Sequence, residues 1–416
     1  MASLLDVPTS GPIRVLDPGA GIGALTAAAA ERMGKPLEVI CYEAEPRFQE
    51  ELKRTLAGLP NVTAMVEVRD FIAHAAELVK AGGGRTFTHA ILNPPYKKIG
   101  SQEPARRDLQ TLGLKTSNLY AGFFACAIAL SELGAQAVGI MPRSFMNGLY
   151  FKPFRRWLLD RVAIAQIHVF DRRDSAFASD EVLQENVILK VVVGGRQDRV
   201  TVTTCRDASF AEMRIRTCAF SEVVPPGNPE HFIHVPAAEH SGLAGLTLHE
   251  LGLEISTGPV VDFRLREHLR MQPEPGTVPL LYPGHFRSGT LQWPGPGSRP
   301  NAIVRNVATE RWLWPRGCYV VLRRLSSKEE KRRVVAYLLE EDALTAERVG
   351  FENHLNVIHC GRRGLPPAVA RGLAAYLNSQ AVDDYFRTFS GQTQVNATDL
   401  RHLRYPKLAD LEACRY

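Results

Sequence analysis

Short apolar runs bounded by glycine, proline or acidic residues recur through the first two hundred positions: residues 13–16, 37–42, 64–68, 88–92, 137–141, 164–170 and 186–193. Their length and content of valine and isoleucine read as strands covered on both faces. Longer segments lie between them. They include the alanine-rich stretch after Gly23, an apolar stretch opened by Asn118 and a basic segment at 153–160. Seven strands with interleaved helices predict one doubly wound α/β sheet with a final antiparallel strand.

The pattern changes near residue 199. Proline and glycine become dense at 225–227, 273–276 and 294–297. The stretch 276–300 reads as loop, and the mixed charges around 328–330 read as a solvated helix. Two domains are expected at this length, one over 1–200 and a mixed α+β domain over 201–416.

Four predicted strands end in succession on polar residues. The first ends at Asp17 and runs into Pro18-Gly19-Ala20-Gly21-Ile22-Gly23, with the helix beyond. Glycines serve where a backbone turns tightly and approaches a ligand. Such a loop alone would equally suit a nicotinamide enzyme. The second strand ends at Glu43, about 20 positions past the loop, where an acid typically takes a ribose hydroxyl pair. The third ends at Asp70-Phe71, and Asp70 also suits a helix N-cap. The fourth ends at Asn93-Pro94-Pro95-Tyr96. Here the prolines fix the backbone, and the residue before a proline is held out of the helical region. One amide, one carbonyl and one aromatic ring are thereby set in rigid relation. The Asn93 side-chain oxygen and the Pro94 carbonyl can accept from one NH₂ group, while Tyr96 stacks on its ring. Ligands of open α/β sheets bind outside the carboxyl ends of the strands.

Charge and cysteine usage narrow the class only modestly. The net charge is +6, and each half carries +3, with 24 basic and 21 acidic residues in 1–200 and 26 and 23 thereafter. A polyanion must then be met by local patches, such as Lys97, Lys98, Arg106, Arg107 and Lys115. Seven scattered cysteines without a Cys-x-x-Cys pair argue against structural zinc and for reduced thiols in a cytoplasmic protein. No signal pattern or long apolar span predicts a membrane segment.

Asn93–Tyr96 resembles motif IV of the amino-methyltransferases that use S-adenosylmethionine, and Asp17–Gly23 resembles their motif I. The order of the two motifs, with too little chain between Asp70 and Asn93 for a recognition domain, resembles the gamma class of N6-adenine DNA methyltransferases, as in TaqI-like enzymes of type II restriction–modification systems. The tail around 351–356, 377–379, 383–387 and 390–400 resembles the recognition domain of PstI- and BsuBI-type modification methylases.

The resemblance implies a class I methyltransferase fold with a C-terminal target-recognition domain. It implies S-adenosylmethionine held by Asp17, Pro18, Gly19, Gly21, Gly23, Glu43, Asp70 and Phe71. Asp70 would accept from the cofactor's adenine amino group and Phe71 would pack on that ring. It further implies a flipped-out adenine held by Asn93, Pro94, Pro95 and Tyr96, with Phe177 on the opposite face. The partner would be double-stranded DNA, contacted through Lys97, Lys98, Arg106, Arg107, Arg287, Gln392, Gln394 and Asn396. A separate restriction endonuclease and a monomeric state are expected.

One departure stands out. Gamma-class enzymes usually carry a Thr-Pro motif ahead of the glycine loop, and only twelve residues precede Ile13. Either the start is truncated, with a weakened hold on the cofactor expected, or another segment does that job. Rival readings are a glutamine methyltransferase acting on release factors, an RNA adenine methyltransferase and a DNA-binding subunit with weakened catalysis.

Overall fold

The computed structural model describes residues 1–83, 86–170, 185–205, 212–236, 243–287, 289–326 and 330–413. The chain divides into two units, 1–238 and 239–416.

The first unit is built on one sheet. Its strands are β1 (Arg14–Pro18), β2 (Leu37–Tyr42), β3 (Val62–Glu67), β4 (Phe87–Leu92), β5 (Ser131–Pro142), β6 (Val162–Phe170), β7 (Asn186–Val193), β8 (Arg199–Cys205) and β9 (Arg214–Ala219), in the order β3-β2-β1-β4-β5-β7-β6-β8-β9. The helices are α1 (Ala24–Met33), α2 (Pro46–Ala57), α3 (Phe71–Lys80), α4 (Pro104–Thr111), α5 (Leu119–Leu130), α6 (Lys152–Leu159) and the short α7 (Phe220–Val223). Strands β1 to β5 run parallel, and β7 is antiparallel to both β5 and β6. All seven expected strands are present.

Two more extend the sheet. β8 pairs parallel with β6, and β9 pairs antiparallel with β8. The expected boundary at residue 200 therefore cuts through β8. The pattern change near 199 marks a new strand pair, in which Val200 and Val202 face the core while β9 is largely solvated.

Each face of the sheet has its own apolar core. One gathers α3, α5 and α6 with residues such as Phe71, Phe124, Phe154 and Ile167. The other gathers α1 and α2 with Val15, Val39, Leu52 and Ile188. Chain order reverses between β1 and β4, and that is where an open α/β sheet leaves a crevice at its carboxyl edge.

The second unit is mixed α+β, as expected. Its strands are β10 (Glu254–Thr257), β11 (Leu269–Arg270), β12 (Thr277–Leu281), β13 (Phe286–Arg287), β14 (Thr290–Leu291), β15 (Ala302–Val304), β16 (Leu313–Pro315), β17 (Tyr319–Arg323), β18 (Ala336–Leu339), β19 (Arg348–Phe351) and β20 (Leu355–His359). They form a four-stranded sheet β10-β20-β17-β18, a five-stranded sheet β11-β15-β12-β19-β16 and the ribbon β13-β14. Helices α8 (Pro367–Leu377), α9 (Gln380–Phe389), α10 (Ala397–Arg401) and α11 (Leu408–Ala413) complete the unit.

Two expectations fail here. Residues 276–300 contain β12, β13 and β14, because Val278, Leu280 and Leu281 are buried in a sheet despite the flanking prolines and glycines. Residues 330–335 are not helical. Arg333 is buried and Val334 joins the core, so the segment is fixed by tertiary contacts and not by helical charge pairing. Among the described residues no helix is long and apolar enough to cross a membrane.

Candidate active site

The glycine loop is shaped by backbone bonds to the end of β2. Gly19 and Ala20 both donate to the Tyr42 carbonyl, at 2.8 and 3.0 Å. Gly19 and Gly21 adopt φ of +77° and +58°, a region that favours glycine. A side chain at Gly21 would meet no atom within 4 Å, so the loop presents bare backbone to an open space. A Cβ at Gly19 would stand 3.6 Å from the Phe123 ring and 4.0 Å from the Asn93 carbonyl oxygen. The glycine loop and Asn93–Tyr96 are thus neighbours, as the pairing of β1 with β4 requires.

Acidic groups brace the loop. Asp17 is fully buried; its Oδ2 accepts from Thr26 Oγ1 at 2.7 Å, tying the strand end to the first turns of α1. Burial pushes its carboxyl up to about 7, the Thr26 hydrogen bonds oppose this, and nearby Glu43 adds to it. Asp17 Oδ1 has no hydrogen-bond partner in the structure. Glu43 accepts from Gly21 N–H through one oxygen and from Glu45 N–H through the other, both at 2.7 Å. Each carboxylate oxygen keeps lone-pair capacity for a further donor.

Asp70 caps α3, accepting from Ala73 N–H at 2.8 Å, and remains exposed. Phe71 requires a correction. It is 2% exposed, with its ring centroid 4.8 Å from Tyr42 and 5.3 Å from Phe123. The first residue of α3 faces the core, so Phe71 supports the floor of the crevice and does not present an open ring face. Phe123 was hidden inside a helix that is apolar all round and gave no separate signal. Ile22 is an apolar residue left exposed on the glycine loop itself.

Asn93 and Pro95 are exposed, Pro94 is buried and Tyr96 is half-buried. The Tyr96 hydroxyl donates to Asn93 Oδ1 at 3.4 Å. The chain beyond is held by a short antiparallel contact: Leu119 N–H donates to the Lys97 carbonyl at 2.9 Å and Ile99 N–H to the Ser117 carbonyl at 2.8 Å. Arg106 donates from Nη2 to the Ile99 carbonyl at 3.1 Å, so this cation secures the loop. Lys97, Lys98 and Arg107 are exposed. Phe177 and the side chain of Arg287 lie outside the described residues.

In the second unit two of the expected DNA-reading side chains, Gln394 and Asn396, bond within the protein. Asn396 is buried as the N-cap of α10, and its backbone and side-chain nitrogens donate to Asp399 Oδ2 at 2.9 and 3.2 Å. Its side chain is buried and engaged in the helix cap. Gln392 accepts from Arg333 through its carbonyl, and Gln394 accepts from Arg324 at 3.4 Å through its side chain.

Residues 42–177 match the Eco57I restriction-modification methylase family. Across 98% of its length the chain is 45% identical to the type II methyltransferase M.BsuBI of Bacillus subtilis, spanning 85% of that protein. Across 97% it is 40% identical to the type II methyltransferase M.PstI of Providencia stuartii, spanning 84%. Its fold resembles that of the type IIL restriction-modification enzyme MmeI in complex with DNA, with a TM-score of 0.53 at 11% identity over 93% of this chain and 61% of that one. It also resembles the DrdV–DNA complex, with a TM-score of 0.53 at 12% identity over 97% and 53%. The chain thus spans between half and two thirds of those two solved chains. With two relatives matched along nearly its whole length, the chain belongs to the type II methyltransferases of restriction–modification systems.

Proposed function

We propose that the chain methylates N6 of a flipped-out adenine in double-stranded DNA at a specific sequence, as a gamma-class enzyme, and so protects that DNA from a separate cognate endonuclease. The observation that carries this reading is the closeness of Gly19 to Asn93, where an added Cβ would stand 4.0 Å from the Asn93 carbonyl oxygen, so that the glycine loop lies beside the strand end bearing Asn-Pro-Pro-Tyr.

The cofactor of this methylase family is S-adenosylmethionine, which supplies a methyl group on a positively charged sulfur. The residues present fit it. The bare backbone at Gly21 offers close approach, and the unpartnered Asp17 Oδ1 offers a buried acceptor. Glu43, buried beside Gly21, and the exposed Asp70 keep lone pairs that would take a ribose and an adenine edge.

An adenine amino group is a weak nucleophile because its lone pair delocalises into the ring. Asn93 Oδ1 and the Pro94 carbonyl accept its two hydrogens and favour a pyramidal nitrogen, with the lone pair aimed at the methyl. The proton leaves after transfer, so no strong base is required. Catalysis is positioning plus fixed dipoles. Extrusion of the base costs a few kcal/mol, and Tyr96 offsets it by stacking, with Phe177 proposed on the other face. Lys97, Lys98 and Arg107 are proposed phosphate contacts.

The test is expression in a host without DNA methylation of its own, followed by single-molecule sequencing of the plasmid. N6-methyladenine within one recurring short sequence is expected. Soluble protein that leaves the DNA unmodified would reject the reading.

A further inference from the structure

A second cavity adjoins Tyr96, a cleft of about 820 Å³ between the segment 98–118 and the turn that follows β5. Its size falls within the roughly 300–1,000 Å³ of sites that hold small ligands. Aromatic rings run along its wall. Tyr96 meets Tyr120 edge-on at 6.2 Å, and Tyr120 stacks on Phe151 at 5.5 Å and 28°. Phe151 ends the single turn Leu149–Phe151 and is buried, which pins the turn. Its neighbour Tyr150 is 83% exposed and stands at the cleft.

Among the described residues the cleft is also one-signed. Lys98, Arg106 and Lys115 line it, and no described Asp or Glu does. Arg106 is tied to the Ile99 carbonyl. Lys98 and Lys115 are exposed and have no ion-pair partner among the described residues. Tyr150 is exposed and Tyr96 half-buried, while Tyr120 and Phe151 are buried behind them. Aromatic faces interleaved with lysines form the surface on which an unpaired nucleotide strand settles, bases on rings and phosphates on cations. A base stacked on Tyr96 continues covalently into a phosphate and a neighbouring nucleotide. These must leave past Tyr96, and the cleft shares that residue as a wall.

We infer that the cleft receives the nucleotide flanking the flipped adenine on the target strand, with its phosphate at Lys98 and Lys115 and its base on Tyr150. The inference rests on the DNA-adenine reading above. Of the three cations that line the cleft, it assigns Lys98 and Lys115 to the strand and Arg106 to the loop.

The test uses the full chain, the duplex that wild type methylates and the same duplex made abasic on either side of the modified adenine. Tyr150→Ala should lower kcat/KM by about 5- to 150-fold on the intact duplex, the range of one lost stack. It should lose nothing further on the duplex whose abasic position is the stacked one. Tyr150→Phe should keep most activity. The Lys98→Ala, Lys115→Ala pair should reduce the slope of log Kd against log salt by roughly 1, since both lysines meet one phosphate. S-adenosylmethionine affinity and melting temperature should not move, which separates a lost contact from misfolding. If wild type methylates its site and the variants match it on intact DNA, or if Tyr150→Ala loses its factor again on both abasic duplexes, the cleft assignment is overturned and the DNA reading survives. A wild-type chain that methylates no DNA overturns both.

Discussion

Residues 1–238 and residues 239–416 both carry asparagines and aspartates in family-like motifs, but the two units place them differently. In the first unit Asn93 and Asp70 sit at strand ends with exposed side chains, and Glu43 bonds to the glycine loop from its rim. In the second, Asp383 is buried and accepts from Arg333 N–H, Val334 N–H and Arg387 Nε, at 2.6, 3.0 and 2.7 Å. Asn378 pairs with both backbone groups of Ala336 like an extra strand residue. Asn356 ties Val395 to Thr257 across the unit. The large sheet of the first unit satisfies its own backbone, which leaves strand-end side chains available for chemistry. The small sheets and short helices of the second leave backbone groups unpaired, and buried polar side chains complete them. A polar motif therefore offers atoms to a ligand only where the protein's own bonds leave some of them open, as at Glu43 and Asp70.

That contrast can be broken by substitution. Asp383→Ala strands two backbone donors and Arg387 at once, and should cost about 3–5 kcal/mol. The check is denaturant unfolding, and an unchanged midpoint with lost methylation would make Asp383 a functional residue instead. Asn93→Ala should leave stability and cofactor affinity intact while lowering kcat by about 10²–10³-fold, the effect of one missing transition-state contact. Single-turnover methylation with calorimetry separates these, and near-wild-type turnover would remove Asn93 from the chemistry.

Asp17 gives a pH-dependent test. Its folded-state value of about 7 lies above the ordinary 3.8, so the fold favours the protonated acid. That contribution is complete below about pH 4 and is lost as pH rises through about 7. Asp17→Asn mimics the protonated form, so its stability relative to wild type should rise across this window by on the order of 3 kcal/mol. Parallel melting curves at pH 4.5 and 8 decide it, and a constant difference would contradict the burial argument.

Tyr96→Ala should weaken transfer by about 1–3 kcal/mol, and Tyr96→Phe by much less, because the ring and not the hydroxyl does the stacking. Equal losses would assign the role to the Tyr96–Asn93 hydrogen bond. Asn396→Ala should cost about 1 kcal/mol of stability as a lost helix cap. An altered target sequence at unchanged stability would return it to base reading.

The order of elements and the positions of Asp17, Glu43, Asp70 and Asn93 were legible because each lies at the end of a periodic apolar run, and periodicity is a local property. So was the turn Asn93–Tyr96 beyond β4, since two prolines constrain its backbone without help from the rest of the chain. The strand pair β8–β9, the sheet within 276–300 and the roles of Phe71, Phe123 and Arg106 were not legible. Those depend on which residues meet across tens to hundreds of positions. The same holds for Asn396 and Asp383: a sequence lists donors and acceptors, and only the packed chain decides whether they bond one another or stay open to a ligand.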